Sequence, residues 1–268
     1  MRRLLLLLAL AALCCAPTAQ AAPASVFLED LTWPELRDAI QAGTTTVIVP
    51  IGGTEQNGPH MALGKHNVRA RLLAGKIATA LGHAVVAPVL AYVPEGRITP
   101  PTAHMRFAGT ITIPDDAFRA TLDSAARSFR QHGFKDVVFI GEHGGYQNQL
   151  RAVAERLNRD WAGTPARAHY LAEYYRSAQA DYAAALRAQG ITSAQFGSHA
   201  GTGDTSLLLA LEPTMVRSEQ LARGAREGLA VGVSGDPRPA SSALGQTGVE
   251  LIVTQSVAAL RGVLAERR

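Results

Sequence analysis

The amino-acid sequence predicts an α/β fold, a mostly parallel sheet covered by helices on both faces. Three observations point to it. Short apolar runs, often β-branched, alternate with segments of helical periodicity, and parallel strands need crossovers that lay helices over the sheet. Apolar residues are 47% of the chain and charged residues 18%, enough for a substantial core and against disorder or a disulfide scaffold. Irregular stretches rich in Gly and polar residues follow the apolar runs, as loops at strand ends do.

Taken in order, Leu31 to Gln41 reads as a short helix. Thr44 to Pro50, TTTVIVP, is β-branched and predicts a buried strand ending near Ile51. The segment IGGTEQNGPHMALGKHN has neither period and predicts a long loop. Val68 to Ala80 predicts a helix and Ala84 to Val89 a second strand. Thr110 to Ile113 predicts a third, after a loop carrying Arg97, His104 and Arg106. Asp115 and Asp116 open a helix in which Phe118, Leu122, Ala125 and Phe129 form one inward stripe. Asp136 to Ile140, DVVFI, predicts a strand buried on both faces, followed by GEHGG and a helix with the stripe Leu150, Val153, Leu157 and Trp161. Ala166 to Leu171 is a weaker fifth strand. Ser177 to Gln189, Ser206 to Leu211, Ser218 to Ala230 and about Glu250 to Glu266 read as helices. The Gly, Ser and Pro cluster from Gly232 to Gly248 predicts a mobile excursion. No linker or repeat divides residues 22–268, so one domain is expected. In such sheets ligands bind beyond the carboxyl ends of the strands.

The first 21 residues stand apart. Arg2 and Arg3 precede an apolar run whose core, Leu4 to Ala16, is 13 residues long and is followed by Ala19-Gln20-Ala21. That is shorter than the ~20 residues of a membrane span, and it predicts a cleaved signal peptide and a periplasmic or secreted protein. Without the leader, 24 basic residues face 22 acidic ones and the formal charge falls from +4 to +2. Lys and Arg are not interleaved with aromatics, so no nucleic-acid partner is expected, and no membrane partner after cleavage. Cys14 and Cys15 are the only cysteines and lie in the leader. Any metal must then be held by His, Asp or Glu.

Three groups pair His with a carboxylate or with glycines near predicted strand or helix ends. Glu55, His60 and His66 share one loop and can curl round a cation, although surface loops often hold such residues with no ligand. Glu142-His143-Gly144-Gly145 follows DVVFI, where glycines permit close approach to a presented imidazole or merely a tight turn. Ser198-His199-Ala200-Gly201 leads to Thr202-Gly203-Asp204-Thr205-Ser206, whose last three residues also suit a helix N-cap.

In this order the stretches resemble the creatininase (creatinine amidohydrolase) family of metal-dependent amide hydrolases. Pro50 to His60, PIGGTEQNGPH, resembles P-x-G-S-x-E-Q-H-G-P-H. His104 with Phe107-Ala108-Gly109-Thr110 resembles H-x-x-F-P-G-T. His143-Gly144-Gly145 resembles N-G-H-G-G-N, and His199 to Ser206 resembles H-A-G-x-x-E-T-S, so the likeness spans roughly Thr44 to Leu211. It implies a three-layer α/β/α sandwich, a homo-oligomer, often a hexamer, and metals at strand ends.

Carried over by position, Glu55 matches a metal-binding Glu, His143 a metal-binding His, and Asp204 stands where Glu is usual. Asn57 stands where the family usually has a ligand His, and His66 where it has an Asp that bridges two metals. A neutral imidazole offers one nitrogen to one metal, and an amide oxygen is a weak zinc ligand. The resemblance with these departures implies one divalent metal, zinc with Mn2+ or Fe2+ as alternatives. Glu55, His66 and His143 would hold it, with Asp204 either a fourth ligand or a partner behind them. His199 matches a family general acid or base, a role that an imidazole with pKa ~6.5 suits. Glu142, where Gly is common, is an added carboxylate, a second base or merely solvated. Asn57, His60 and His104 are expected to touch substrate or brace the ligands, and Arg97 and Arg106 to grip an acidic end of the substrate. The expected function is a secreted hydrolase that cleaves a cyclic amide or other non-peptide C–N bond of a small molecule with metal-activated water. A deformylase-like or peptidase-like member, and a non-catalytic binding scaffold, are the alternatives.

Overall fold

The computed structural model describes residues 25–265; the predicted signal peptide with Cys14 and Cys15 lies outside them. The first helix, α1 (Trp33–Gln41), starts at a capping box in which the Glu35 carboxylate accepts from the Thr32 N–H at 2.7 Å. Next come β1 (Thr46–Ile51), α2 (Lys65–Leu81), β2 (Ala84–Val86), α3 (Asp115–Gln131), β3 (Asp136–Gly141), α4 (Gln147–Asp160) and β4 (Arg167–Tyr170). The remainder is helical: α5 (Ala172–Arg176), α6 (Tyr182–Ala188), α7 (Ser193–Phe196), α8 (Thr202–Leu211), α9 (Leu221–Glu227) and α10 (Ser242–Ala265).

The four strands lie in the order β2-β1-β3-β4, all parallel, with Thr46 opposite both Ala84 and Asp136, and Asp136 opposite Arg167. Every residue of β1 and β3 is buried, as a sheet with helices on both faces requires. Successive side chains of a strand point to opposite faces, and each face has its own core. Val47, Val49, Ile51, Val137 and Phe139 pack with Phe118 and Leu122 of α3 and Leu150, Val153 and Leu157 of α4. Ile48, Val138 and Ile140 pack with Leu73 and Ile77 of α2, Leu207 of α8, and Val249, Ile252 and Leu260 of α10. These are the three layers of an α/β/α sandwich.

Four expectations are corrected. Thr110 to Ile113 is no strand of the sheet, because the backbone bonds of Ile111 and Ile113 run to Thr54 and Val93, both in loops. The second strand stops at Val86, short of Pro88, which has no N–H to give a ladder. The helix after the first loop begins at Lys65, not Val68, which puts Lys65 and His66 on a rigid element. The stretch from Gly232 to Gly248 is not a loose excursion: Ser234 exchanges backbone hydrogen bonds with His199, and α10 begins at Ser242. Gly245 belongs to the helix–helix contact, since a Cβ there would lie 1.8 Å from the Ser206 carbonyl oxygen.

One hydroxyl ties the carboxyl ends of β1 and β3. Tyr146 Oη faces the carbonyls of Ile51 at 2.9 Å and Gly52 at 2.6 Å and accepts from the N–H groups of Glu142 and His143, both at 3.0 Å. Tyr146→Phe strands these buried groups and is expected to lower unfolding free energy by about 1–3 kcal/mol. Urea denaturation checks this, and an unchanged midpoint would show that the tie contributes nothing.

Candidate metal centre and catalytic site

The carboxyl ends of β1 and β3 deliver the central groups. Beyond β1 the chain turns through Gly52 and Gly53 and points Glu55 inward, fully buried. Glu95 arrives from the loop after β2, its N–H bonded to Thr112 Oγ1 at 2.9 Å. Gly53 has φ +146°, and a Cβ on it would stand 2.6 Å from Glu95 Oε1. Only glycine therefore lets the two loops close on each other. His143, directly after β3, accepts the Gly145 N–H on Nδ1 at 3.1 Å, which turns Nε2 toward Glu55 Oε2 and Glu95 Oε2, each at 3.7 Å. His104 puts Nε2 3.3 Å from Glu55 Oε2.

Glu55, Glu95, His104 and His143 each offer a ligand atom within 4.8 Å of the others. Glu55 Oε2 and both Glu95 oxygens are buried and accept no hydrogen bond from the described residues. Buried carboxylate oxygens in that condition are costly unless a cation joins them, and two carboxylates with two imidazoles are a donor set suited to a divalent transition metal. The site thus fits a metal on its own chemistry. His104 and His143 are about one-fifth exposed, so the cluster opens to solvent on the imidazole side.

Electrostatics follow from that packing. Burial works against a charge on Glu55, but the His66 imidazole, with help from Lys65 and His199, holds its pKa well below the ordinary carboxylate value. Glu95 goes the other way: burial and the Glu55 charge raise it to about 9. Burial outweighs the pull of Glu55 at His143 and His199, lowering both to about 4, and His104 is lowered for the same reason. The three imidazoles are neutral at pH 7 and able to ligate or accept protons. His199 lies across the opening, its ring 4.5 Å from that of His104 and its Nε2 2.9 Å from the Gln56 carbonyl oxygen.

The sequence matches the family model for creatininase, creatinine amidohydrolase, over residues 29–260. The chain belongs to the creatininase family. It is a creatininase-family hydrolase. A mycofactocin precursor peptide peptidase of Mycobacterium ulcerans is 28% identical over 246 residues, 80% of each chain. A creatinine amidohydrolase of Pseudomonas putida is 27% identical over 48% of each. A solved structure of "Creatininase Mn" superposes with a TM-score of 0.73 at 23% identity, covering 89% of this chain and 98% of that one, a likeness of fold.

Within this creatininase-family chain, Glu55 and His143 of the expected ligands meet at the centre, joined by His104, which was expected to touch substrate or brace the ligands. His66 is not among the convergent groups: its Nε2 faces Glu55 Oε1 at 2.7 Å and its Nδ1 faces Glu142 Oε2 at 3.3 Å, so both ring nitrogens are engaged. Asp204 is held elsewhere by Lys65 at 3.3 Å and Arg69 at 2.6 Å. Glu142 is neither solvated nor free to act as a base; it is buried against Arg69, His66 and the Tyr174 hydroxyl. Asn57 bonds the Glu55 carbonyl at 2.9 Å, and His60 bonds Thr205 Oγ1 at 3.0 Å, so both brace the loop. Arg97 and Arg106 are exposed, and among the described residues no side-chain hydrogen bond or ion pair joins them to the site.

Glu95, Lys65, Arg69 and Gln56 escape sequence reasoning. Glu95 is a lone carboxylate in a loop, with no motif around it. Lys65 and Arg69 do carry a signal, since residues four apart share a helix face, but it shows only once the helix is known to begin at Lys65. Gln56 sits inside the recognised loop, its Nε2 3.0 Å from His104 Nδ1 and 3.1 Å from His199 Nε2.

A cation entering at pH 7 must displace the proton that Glu95 holds below about 9, whereas the imidazoles are already neutral there. Uptake of Zn2+ or Mn2+ is expected to release at least one proton per ion, and affinity to rise as pH increases toward about 9. Calorimetry in two buffers of different ionisation heat counts the protons; an affinity that does not change with pH would contradict it.

Proposed function

We propose that this chain hydrolyses an amide C–N bond with a divalent metal held by Glu55, Glu95, His104 and His143. The observation that carries the reading is the convergence of four ligand atoms beyond the strand ends, three of the carboxylate oxygens there being buried without a donor among the described residues. Zinc suits a site of His nitrogens and carboxylate oxygens, with Mn2+ or Fe2+ as alternatives. A metal held there would polarise a carbonyl oxygen and lower the pKa of a water to about 7.

The protein's own groups supply the rest. His199, neutral and at the mouth of the cluster, takes a proton from water and passes it to the leaving nitrogen. Gln56 holds both rings: its backbone carbonyl accepts from His199 Nε2, and its side-chain amide donates to His104 Nδ1. Lys65 and Arg69 set the potential beneath Glu55 without reaching solvent.

Two substrate classes remain. A small cyclic amide is favoured by the relative named a creatinine amidohydrolase. A short peptide is favoured by the relative named a peptidase, which aligns with 80% of the chain, whereas the creatinine amidohydrolase aligns with 48%. Parallel assays on cyclic amides and short peptides decide between them. Export by the leader and assembly with further copies are part of the same proposal; cell fractionation and light scattering test them.

His143→Ala is expected to lose metal and activity together. His199→Ala should retain the metal while kcat falls about 10²–10⁴-fold, the span a positioned acid–base group supplies. Elemental analysis beside the amide assays separates the two, and full activity in either variant would sink its assignment.

A further inference from the structure

A second set of charges lies beneath the Glu55–Glu95 pair. Lys65 and Arg69 stand one turn apart on one face of α2, with 0% and 1% of their surface exposed. Lys65 Nζ is 3.3 Å from Asp204 Oδ2; Arg69 is 2.6 Å from Asp204 Oδ1 and 2.9 Å from Glu142 Oε2. Lys65 Nζ makes no hydrogen bond among the described residues. It is a dehydrated ammonium held by charge alone, a costly arrangement unless the neighbouring carboxylates need it.

We infer that Lys65 and Arg69 are built-in counter-ions that limit this site to a single divalent metal, with Lys65 taking the place a second cation would occupy. The inference rests on the metal reading above and adds its stoichiometry and the residue that sets it. Four carboxyl groups gather here: Glu55, Glu95 and Glu142 are buried, and the Asp204 side chain is 17% exposed. Two of the four charges are matched by Lys65 and Arg69. The remaining two equal one divalent ion, and a second ion would leave uncompensated positive charge in a water-poor interior.

The geometry agrees with the charge count. Asp204 Oδ1 is committed to Arg69, and Oδ2 to Lys65 and the Ala200 N–H at 2.9 Å. Glu142 Oε1 accepts from Tyr174, while Oε2 meets His66 and Arg69. Neither carboxylate turns an oxygen to the centre, whereas Glu55 and Glu95 do.

The test is Mn2+ stoichiometry by native mass spectrometry, with electron paramagnetic resonance to distinguish isolated from coupled ions. The wild-type chain is expected to hold one Mn2+ with the six-line spectrum of an isolated ion. In Lys65→Met a second ion leaves an excess of only one positive charge, against two in the wild type, and Asp204 Oδ2 is freed of its cation, so a second, coupled Mn2+ is expected, whereas Lys65→Arg stays at one. Two coupled ions in the wild type would overturn the inference and leave the metal reading standing; none would remove both. A folded Lys65→Met that keeps only one ion would equally overturn the role of Lys65. Lys65→Met with Asp204→Asn removes the buried charge together with its partner and is expected to fold and hold one ion. A second ion in that double variant would overturn the account of Asp204.

Discussion

Four carboxyl groups packed together beneath the carboxyl ends of the sheet are the constraint on which the rest of this structure depends. Carboxylates so placed repel one another and lose their hydration, so each must find a cation, a hydrogen bond or a proton. Glu142 and Asp204 find Arg69 and Lys65, Glu55 finds His66, and Glu95 has only its proton. Glu55 Oε2 and both Glu95 oxygens stay without donors among the described residues, and that unmet demand defines the candidate metal centre.

The scaffold makes the arrangement possible by being rigid where the charges meet. β1 and β3 are adjacent, parallel and in register to their last residues, Ile51 and Gly141, so the loops leaving them start side by side. The Tyr146 hydroxyl fixes those two ends, and Gly53 admits Glu95 against the first loop. α2 begins at Lys65, just after that loop, and so sends its first turn, Lys65 to Arg69, under the cluster. The backbone also departs from its usual regions beside the site: Ala103 and Ala200, neighbours of His104 and His199, have φ of 48° and 56°. Left-handed conformations at non-glycine residues persist where surrounding contacts over-determine them, and here they aim two imidazoles at one opening.

Much of this was legible in the residues. The β-branched runs, the helical stripes ending at Phe129 and Trp161 and the polar loops after the strands express local periodicities that tertiary packing only reinforces. Where the reading failed, local composition pointed one way and a distant partner the other. The glycines near Gly245 look like a loop but admit α8 against α10. Thr110 to Ile113 has strand-like residues but no neighbouring strand to pair with. His66 looks like a ligand by position, yet both its ring nitrogens face carboxylates, and Glu95 looks like an ordinary loop carboxylate.

The sequence by itself determined the alternating elements, the burial of the strands, the family, and the placing of Glu55, His143 and His199 in polar segments at strand and helix ends, because each depends on neighbours a few residues away. Only the tertiary structure decided which acids face the centre and which are neutralised. Arg69 and Asp204 are separated by 135 positions, and Gln56 and His199 by 143. Whether such groups meet depends on crossover direction, strand register and the residue at which a helix begins.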